Sequence, residues 1–360
     1  MSATHFVPGL ELSRAFYVEA VAPLLARHYP NLIHSAGRLD TGSEVLGFDT
    51  ERSMDHWWGP RVGLYLPEQD YSDDLREEIK HMLGMQLPHT VRGFSTHMHV
   101  EDMTTGSVYL RNTDERPINH VCFIGTVAQL MRWYLGINAL DHPLSTGEWL
   151  ALPEQNLRTI RSGGVWHDGT GELTRLRTLL HWYPDHIWRY LLRAQWRRIE
   201  QEEAFAGRCA EVGDELGSRV VAARMVREIM HLAFLIEREY MPYSKWLGTA
   251  FSRLRIAPRL EPALLDTLAA TDWPSRERAL SAAYEIAAAE FNALGLCEPV
   301  PATVSPFYAR PFDVIHGDRF AAALGDAGVQ PEYFGNTTQW IDSTDALHPR
   351  YVRQFAAFYG

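Results

Sequence analysis

The chain of 360 residues is 46% hydrophobic and 22% charged with a formal net charge of −11, which excludes disordered, fibrous and collagen-like proteins. No stretch reaches the roughly 18 uninterrupted apolar residues of a membrane span, and Met1-Ser-Ala-Thr-His-Phe-Val-Pro lacks the basic and apolar regions of an export signal, so a cytoplasmic, membrane-free protein is expected. The acidic balance argues against a nucleic-acid partner, and Cys122, Cys209 and Cys297 form neither a disulfide framework nor a C-x-x-C zinc knuckle.

Apolar residues at helical spacing over 10 to 29, ended by Pro30, predict an opening amphipathic helix. From Ile33 to Leu66 short apolar runs separated by Gly and Asp read as strand, turn, short helix and strand. An acidic helix is expected from Tyr71 to Met85, strands at Ser107 to Arg111 and Val121 to Val127, and a helix through Met131-Arg-Trp-Tyr-Leu-Gly. Ser145-Thr-Gly-Glu148 has the form of a capping box opening a helix over WLALPEQNLRTIR, and GGVWHDGTGEL reads as a hairpin turning at Asp168-Gly169. From Thr174 the pattern becomes helical. The expected organisation is an α+β domain over 1–173, a helical domain over 174–298, and a docking or lid segment over 299–360 richer in Pro, Gly and aromatics.

Several residues carry candidate chemistry. Gly42-Ser43 follows an apolar run, and a Gly-Ser turn leading into a helix can set backbone N–H groups and a hydroxyl against a phosphate, although a plain tight turn reads the same way. Asp55-His56-Trp57-Trp58-Gly59-Pro60-Arg61 lies twelve residues beyond Ser43 and leads into the strand RVGLYL. His56 is a candidate acid/base, and Trp57 and Trp58 are candidate stacking walls for a substrate. Lys80 and Lys245 are the only lysines, and Lys245 sits in Tyr240-Met-Pro-Tyr243-Ser-Lys-Trp246, where an ammonium beside hydroxyls suits an anion or equally a helix terminus. His97-Met98-His99 with Glu101 and Asp102 could supply part of a zinc site or a solvated histidine pair. No G-x-S-x-G, H-E-x-x-H, Walker A or dinucleotide fingerprint occurs.

Taken together, PGLELSRAFY, GSEVLGFDTERSMDHWWGPR, WYPDHIWRYL, AQWRRIEQEEAFAGR and YMPYSKWLGTAF resemble an uncharacterised bacterial family with a nucleotidyltransferase-like domain followed by helices, over most of residues 8 to 315. The resemblance implies a nucleotidyltransferase-like mixed sheet and an all-helical second domain. It also implies a nucleoside triphosphate with magnesium as cofactor, phosphate contacts from Gly42, Ser43, Arg61, Tyr243 and Lys245, and a metal ligand at Asp55. Nucleotidyltransferases place an Asp-x-Asp pair on a strand so that both carboxylates face a two-metal clamp. Here the second position is Trp57, which leaves the place to another carboxylate such as Asp40, Asp102 or Asp168. Three functions follow: a nucleotide-dependent transferase on a small molecule with a degenerate metal site, a metal-independent enzyme acting on an organic molecule in the same cleft, or a non-catalytic nucleotide or partner-binding protein.

Overall fold

The computed structural model describes residues 6–102 and 107–359, without the side chains of residues 101, 102 and 107. The chain partitions into two compact units, one of Met1–Pro143 with Asn156–His181 and one of Leu144–Gln155 with Trp182–Gly360.

In the first unit the opening helix is an unbroken rod: α1 (Gly9–Phe16), a π-helical turn (Tyr17–Val21) and α2 (Ala22–His28). Strands β1 (Ser35–Arg38) and β2 (Gly63–Tyr65) precede α3 (Asp73–Gln86). The Ser72 hydroxyl accepts from the Leu75 N–H at 3.1 Å to start α3, and Asp73 and Asp74 complement its dipole. Two short antiparallel pairs follow, β3 (Thr90–Val91) with β4 (Phe94–Ser95) and β5 (Met98–Asp102) with β6 (Ser107–Leu110). Strand β7 (Phe123–Gly125) then feeds α4 (Val127–Tyr134), which Thr126 and Gln129 open as a capping box.

Ser145 and Glu148 form the expected capping box of α5 (Thr146–Ala151): the Ser145 N–H donates to Glu148 Oε2 at 2.8 Å and the Glu148 N–H to Ser145 Oγ at 3.2 Å. The single helix expected beyond it is instead two. Pro153 cannot donate its N–H and restricts the residue before it, so α5 ends at Ala151 and α6 (Glu154–Ser162) begins afresh. Strand β8 (Gly164–Asp168) and α7 (Glu172–Leu179) complete this stretch.

The main sheet runs β7-β2-β1-β8, with β2 and β7 parallel and the other pairs antiparallel. This corrects the expected hairpin at Asp168-Gly169. The residues before that turn pair with β1, more than a hundred positions earlier, and those after it form α7, a pairing that local turn chemistry does not encode. A side chain on Gly37 would place its Cβ 2.7 Å from the Gly164 carbonyl, so the close β1–β8 approach depends on glycine. Phe16, Val21 and Leu25 of the helical rod, Leu64 and Ile124 of the sheet, and Leu83 of α3 close one core.

The second unit is helical: α8 (Asp185–Glu202), α9 (Phe205–Glu211), α10 (Glu215–Ile236), α11 (Leu247–Phe251), α12 (Ala257–Ala269) and α13 (Trp273–Ala293). A two-residue ribbon of β9 (Ser305–Pro306) and β10 (Asp313–Val314) leads to α14 (Gly317–Ala323), α15 (Thr337–Trp340) and α16 (Val352–Phe358). A small mixed sheet with helices, followed by a helical region, is the α+β class expected from the patterning. Among the described residues no helix is long and apolar enough to cross a membrane.

Two buried acids in this unit stand in opposite environments. Glu154 is wholly buried and accepts from His231 Nε2 at 3.0 Å, Asn336 Nδ2 at 2.8 Å and the Met241 N–H at 2.7 Å, while its own N–H donates to Thr338 Oγ1 at 3.1 Å. Burial alone would raise its carboxyl, but the charge and hydrogen bond of His231 outweigh that and hold it below the ordinary range. Glu154→Ala would strand these donors in the interior, so a loss of about 3–5 kcal/mol is expected in urea unfolding.

Glu203, which follows α8, has the opposite balance. Burial raises its carboxyl to about 8; the Gly317 N–H at 3.4 Å opposes this without cancelling it, and Glu200 and Asp318 add smaller upward pushes. An unfolded carboxyl titrates near 4.5, so from there up to about 8 the folded state binds more protons, and stability falls as pH rises. Glu203→Gln is expected to remove that slope and to be more stable than the native chain at pH 9 by a few kcal/mol, on the order of the linkage energy. Thermal melts at pH 5 and pH 9 measure it.

Candidate functional site

Strand β1 ends at Arg38, and the chain then turns over Asp40, Thr41, Gly42 and Ser43. The helix expected after Gly42-Ser43 is absent. Residues 43–47 form successive tight turns, closed by Val45 N–H to Gly42 O at 3.2 Å, Gly47 N–H to Glu44 O at 3.0 Å and Phe48 N–H to Ser43 O at 2.9 Å. Gly47 falls too early for a helix to propagate, and Phe48 and Val45 are drawn into the interior.

Beneath this turn lies a buried ionic cluster. Glu44 is 3% exposed, Arg38 5% and Arg61 4%. The Glu44 carboxylate accepts from Arg61 Nη2 and from Arg38 Nη2 at 3.4 Å, and Arg38 also pairs with Asp40 and donates to the Thr41 carbonyl at 2.6 Å. Arg61, expected to reach a ligand phosphate, is thus spent on an internal carboxylate. Gly42 has φ +147°, backbone that side chains rarely adopt, and a Cβ there would collide with the Glu44 carboxylate.

The motif from Asp55 to Trp58 splits in two directions. Asp55 closes a 3₁₀ turn (Glu51–Asp55), opened by a Thr50–Ser53 capping box, and lies outside the strand, which starts only at Gly63. This corrects the picture of an acidic pair alternating along a strand. Asp55 and His56 are exposed, 68% and 63% at their side chains, with His56 Nδ1 2.8 Å from Asp55 Oδ1. A neutral imidazole donates its Nδ1–H there, which leaves Nε2 to accept a proton. The same hydrogen bond, chiefly, holds the Asp55 carboxyl below its ordinary range.

Trp57 stands 44% exposed with a left-handed backbone, φ +48°, and its N–H donates to the Val108 carbonyl of β6 at 2.7 Å. Non-glycine residues hold that conformation at a cost, which neighbouring structure must sustain. Trp58 points the other way. It is 1% exposed, lies edge-on to Phe94 at 5.2 Å between centroids and donates its indole N–H to Asp49 at 3.1 Å. The expected stacking wall is therefore Trp57 alone, because the hydrophobic gain of burying Trp58 places it in the core.

The residues present do not fit a two-metal clamp. Asp55 is bonded to His56, and among the described residues no group of three His, Cys, Asp or Glu could hold an ion. Of the reserve carboxylates, Asp40 is paired with Arg38, and Asp168 accepts from Ser35 Oγ at 2.8 Å and the Thr174 N–H at 2.9 Å, where it steadies the start of α7. The side chains of Asp102 and Glu101 lie outside the described residues. His97 Nδ1 accepts from the Asn119 N–H at 3.1 Å and His99 packs on Tyr109, so each imidazole has a structural neighbour.

Tyr243 and Lys245 belong to the second unit. The Tyr243 N–H donates to Gln155 Oε1 at 3.1 Å, and the exposed Lys245 ammonium lies 5.0 Å from the centre of the Trp246 ring. Sequence reasoning missed Glu44, Arg38 and Asp49. The one available signal was three charged side chains placed among apolar residues that the fold buries.

Residues 149–247 match the model of a domain of unknown function, DUF4037. The chain is similar to a nucleotidyltransferase-like protein of known crystal structure from Exiguobacterium sibiricum 255-15, at 11% identity, over 79% of this chain and 77% of that one, with a TM-score of 0.32. No curated protein matches the chain.

Gly42→Ala must adopt a backbone foreign to alanine and displace Glu44 from beneath the turn. A loss of about 1–3 kcal/mol is expected by chemical denaturation.

Proposed function

We propose that this protein is a nucleotide-dependent transferase that acts on a small molecule, with His56 as general base and Asp55 as the group that orients it. The observation that carries this reading is the solvent-facing Asp55–His56 hydrogen bond, 2.8 Å long, on the segment between the Gly42-Ser43 turn and β2. A carboxylate on Nδ1 selects the tautomer whose Nε2 can take a proton, the arrangement by which acyl-transfer triads orient their base.

In the proposed step an acceptor hydroxyl attacks a phosphorus of the nucleotide. The new O–P bond forms as the P–O bond to the departing pyrophosphate breaks, and the acceptor's proton passes to His56 Nε2. Gly42 and Ser43 are assigned to the phosphate side and Trp57 to a planar part of the substrate, where an exposed indole gains from stacking. The resemblance over GSEVLGFDTERSMDHWWGPR supports the nucleotide.

A second reading has an observation of its own. Trp57, half exposed where the resemblance implies a carboxylate, suits an organic substrate on which the same His56–Asp55 pair works without nucleotide.

The test is a thermal-shift titration with ATP, GTP, CTP and UTP, each with magnesium and with chelator, followed by mass spectrometry of products. A ligand at a hundred times its Kd stabilises by about 2.7 kcal/mol, so binding of one nucleotide is expected to be plain. His56→Ala is expected to lower turnover about 10²- to 10⁴-fold and leave the nucleotide shift intact, and Asp55→Asn to lower it less. Absence of any nucleotide shift overturns the first reading, and product formed without nucleotide by a His56-dependent route establishes the second.

A further inference from the structure

Glu44 occupies an odd place for a buried carboxylate. It sits directly under the Gly42-Ser43 turn, against the Cα of Gly42 and between the guanidinium groups of two arginines that arrive from different strands, Arg38 at the end of β1 and Arg61 just before β2. Two guanidinium groups converging beneath a Gly-Ser turn have the geometry of an oxyanion receptor, because each offers planar N–H donors matched to the oxygens of a phosphate or carboxylate. What fills that place is the chain's own carboxylate.

The receptor is incompletely used. The Nε–H groups of both Arg38 and Arg61 are buried with no hydrogen-bond partner among the described residues. Burial, and next the charge of Arg61, lower Arg38 to about 9, and the attraction of Glu44 does not offset them. Glu44 and Asp40 balance the two cations in charge, but the two Nε–H donors stay unpaired, and a phosphate, with more oxygens than one carboxylate, would satisfy them. The roof over them is thin. Thr41 is exposed, and Gly42 and Ser43 are only partly covered.

We propose that Arg38 and Arg61 form an oxyanion site for a phosphate or polyphosphate group, and that Glu44 occupies it as an internal competitor which the entering anion displaces. The site deepens the reading of Gly42-Ser43 as the phosphate side, on which it rests. It assigns Arg61 a ligand role that its present ion pair conceals. It also gives the protein a threshold: an anion binds only when it interacts with the two arginines better than a tethered carboxylate at high effective concentration does. Inorganic phosphate meets that threshold poorly, and a triphosphate chain meets it well.

The experiment is isothermal titration of the whole chain and of Glu44→Gln with inorganic phosphate, tripolyphosphate and ATP. Glu44→Gln keeps the size of the side chain and removes its charge. The expected result is a Kd for tripolyphosphate at least tenfold tighter than that of the native chain, lost again when Arg61→Gln is added. A folded Glu44→Gln variant that binds tripolyphosphate within twofold of the native chain overturns the proposal.

Should Glu44→Gln fail to fold, crystals of the native chain grown with excess tripolyphosphate decide the matter. An anion between Arg38 and Arg61 with Glu44 turned away is the expected density, and Glu44 still seated on both arginines overturns the proposal. The ATP arm separates this idea from the wider one. Tripolyphosphate tightened by Glu44→Gln with no ATP binding leaves the oxyanion site standing and removes the nucleotide reading. ATP bound equally by both proteins does the reverse.

Discussion

A single carboxylate, Glu44, organises the end of the first unit where its candidate chemistry lies. By accepting from Arg38 and Arg61 it ties the end of β1 to the approach to β2, and by lying against Gly42 it dictates that no side chain can occupy that position. The turn over residues 40–44 is therefore shaped from within. A buried ion pair of this kind gains little net stability over well-packed apolar groups, but removing one member leaves uncompensated charge in the interior. The arrangement thus specifies a conformation more than it stabilises the fold.

The second unit uses the same principle differently. Glu154 gathers donors from α10, from the segment before α11 and from the start of α15, and Gln339 extends the polar network by donating to Gln195 Oε1 at 2.9 Å. Where the acceptors are filled, as at Glu154, the network fixes how the last segment of the chain docks on the helices. Where they are not, as at Glu203, the carboxyl is held protonated well above the usual range. The two acids show that burial alone does not set a proton affinity; the donors within reach do.

The exposed face of the first unit carries the candidate groups Asp55, His56 and Trp57. Asp55 and His56 are bonded to one another and open to solvent, and Trp57 is held beside them in a backbone that its residue type disfavours, with its N–H tied to the neighbouring hairpin. A tryptophan left half exposed at a conformational cost contrasts with its neighbour Trp58, which takes the ordinary course into the core. The two adjacent indoles are thus divided between a core anchor, Trp58, and a solvent-facing ring, Trp57.

Much of the element pattern was legible in the sequence by itself, because it is local. Helical periodicity placed the opening rod and α3, and the Ser145–Glu148 spacing placed a cap. The candidate Asp55–His56 pair was equally readable, since the two residues are adjacent. Only the tertiary structure decided that β8 pairs with β1, that Arg61 serves Glu44, that Trp58 is core while Trp57 is not, and that no three potential ligands among the described residues gather to hold a metal ion. Each of these depends on contacts between residues far apart in the chain. Their energies come from burial and charge pairing, which no local spacing records.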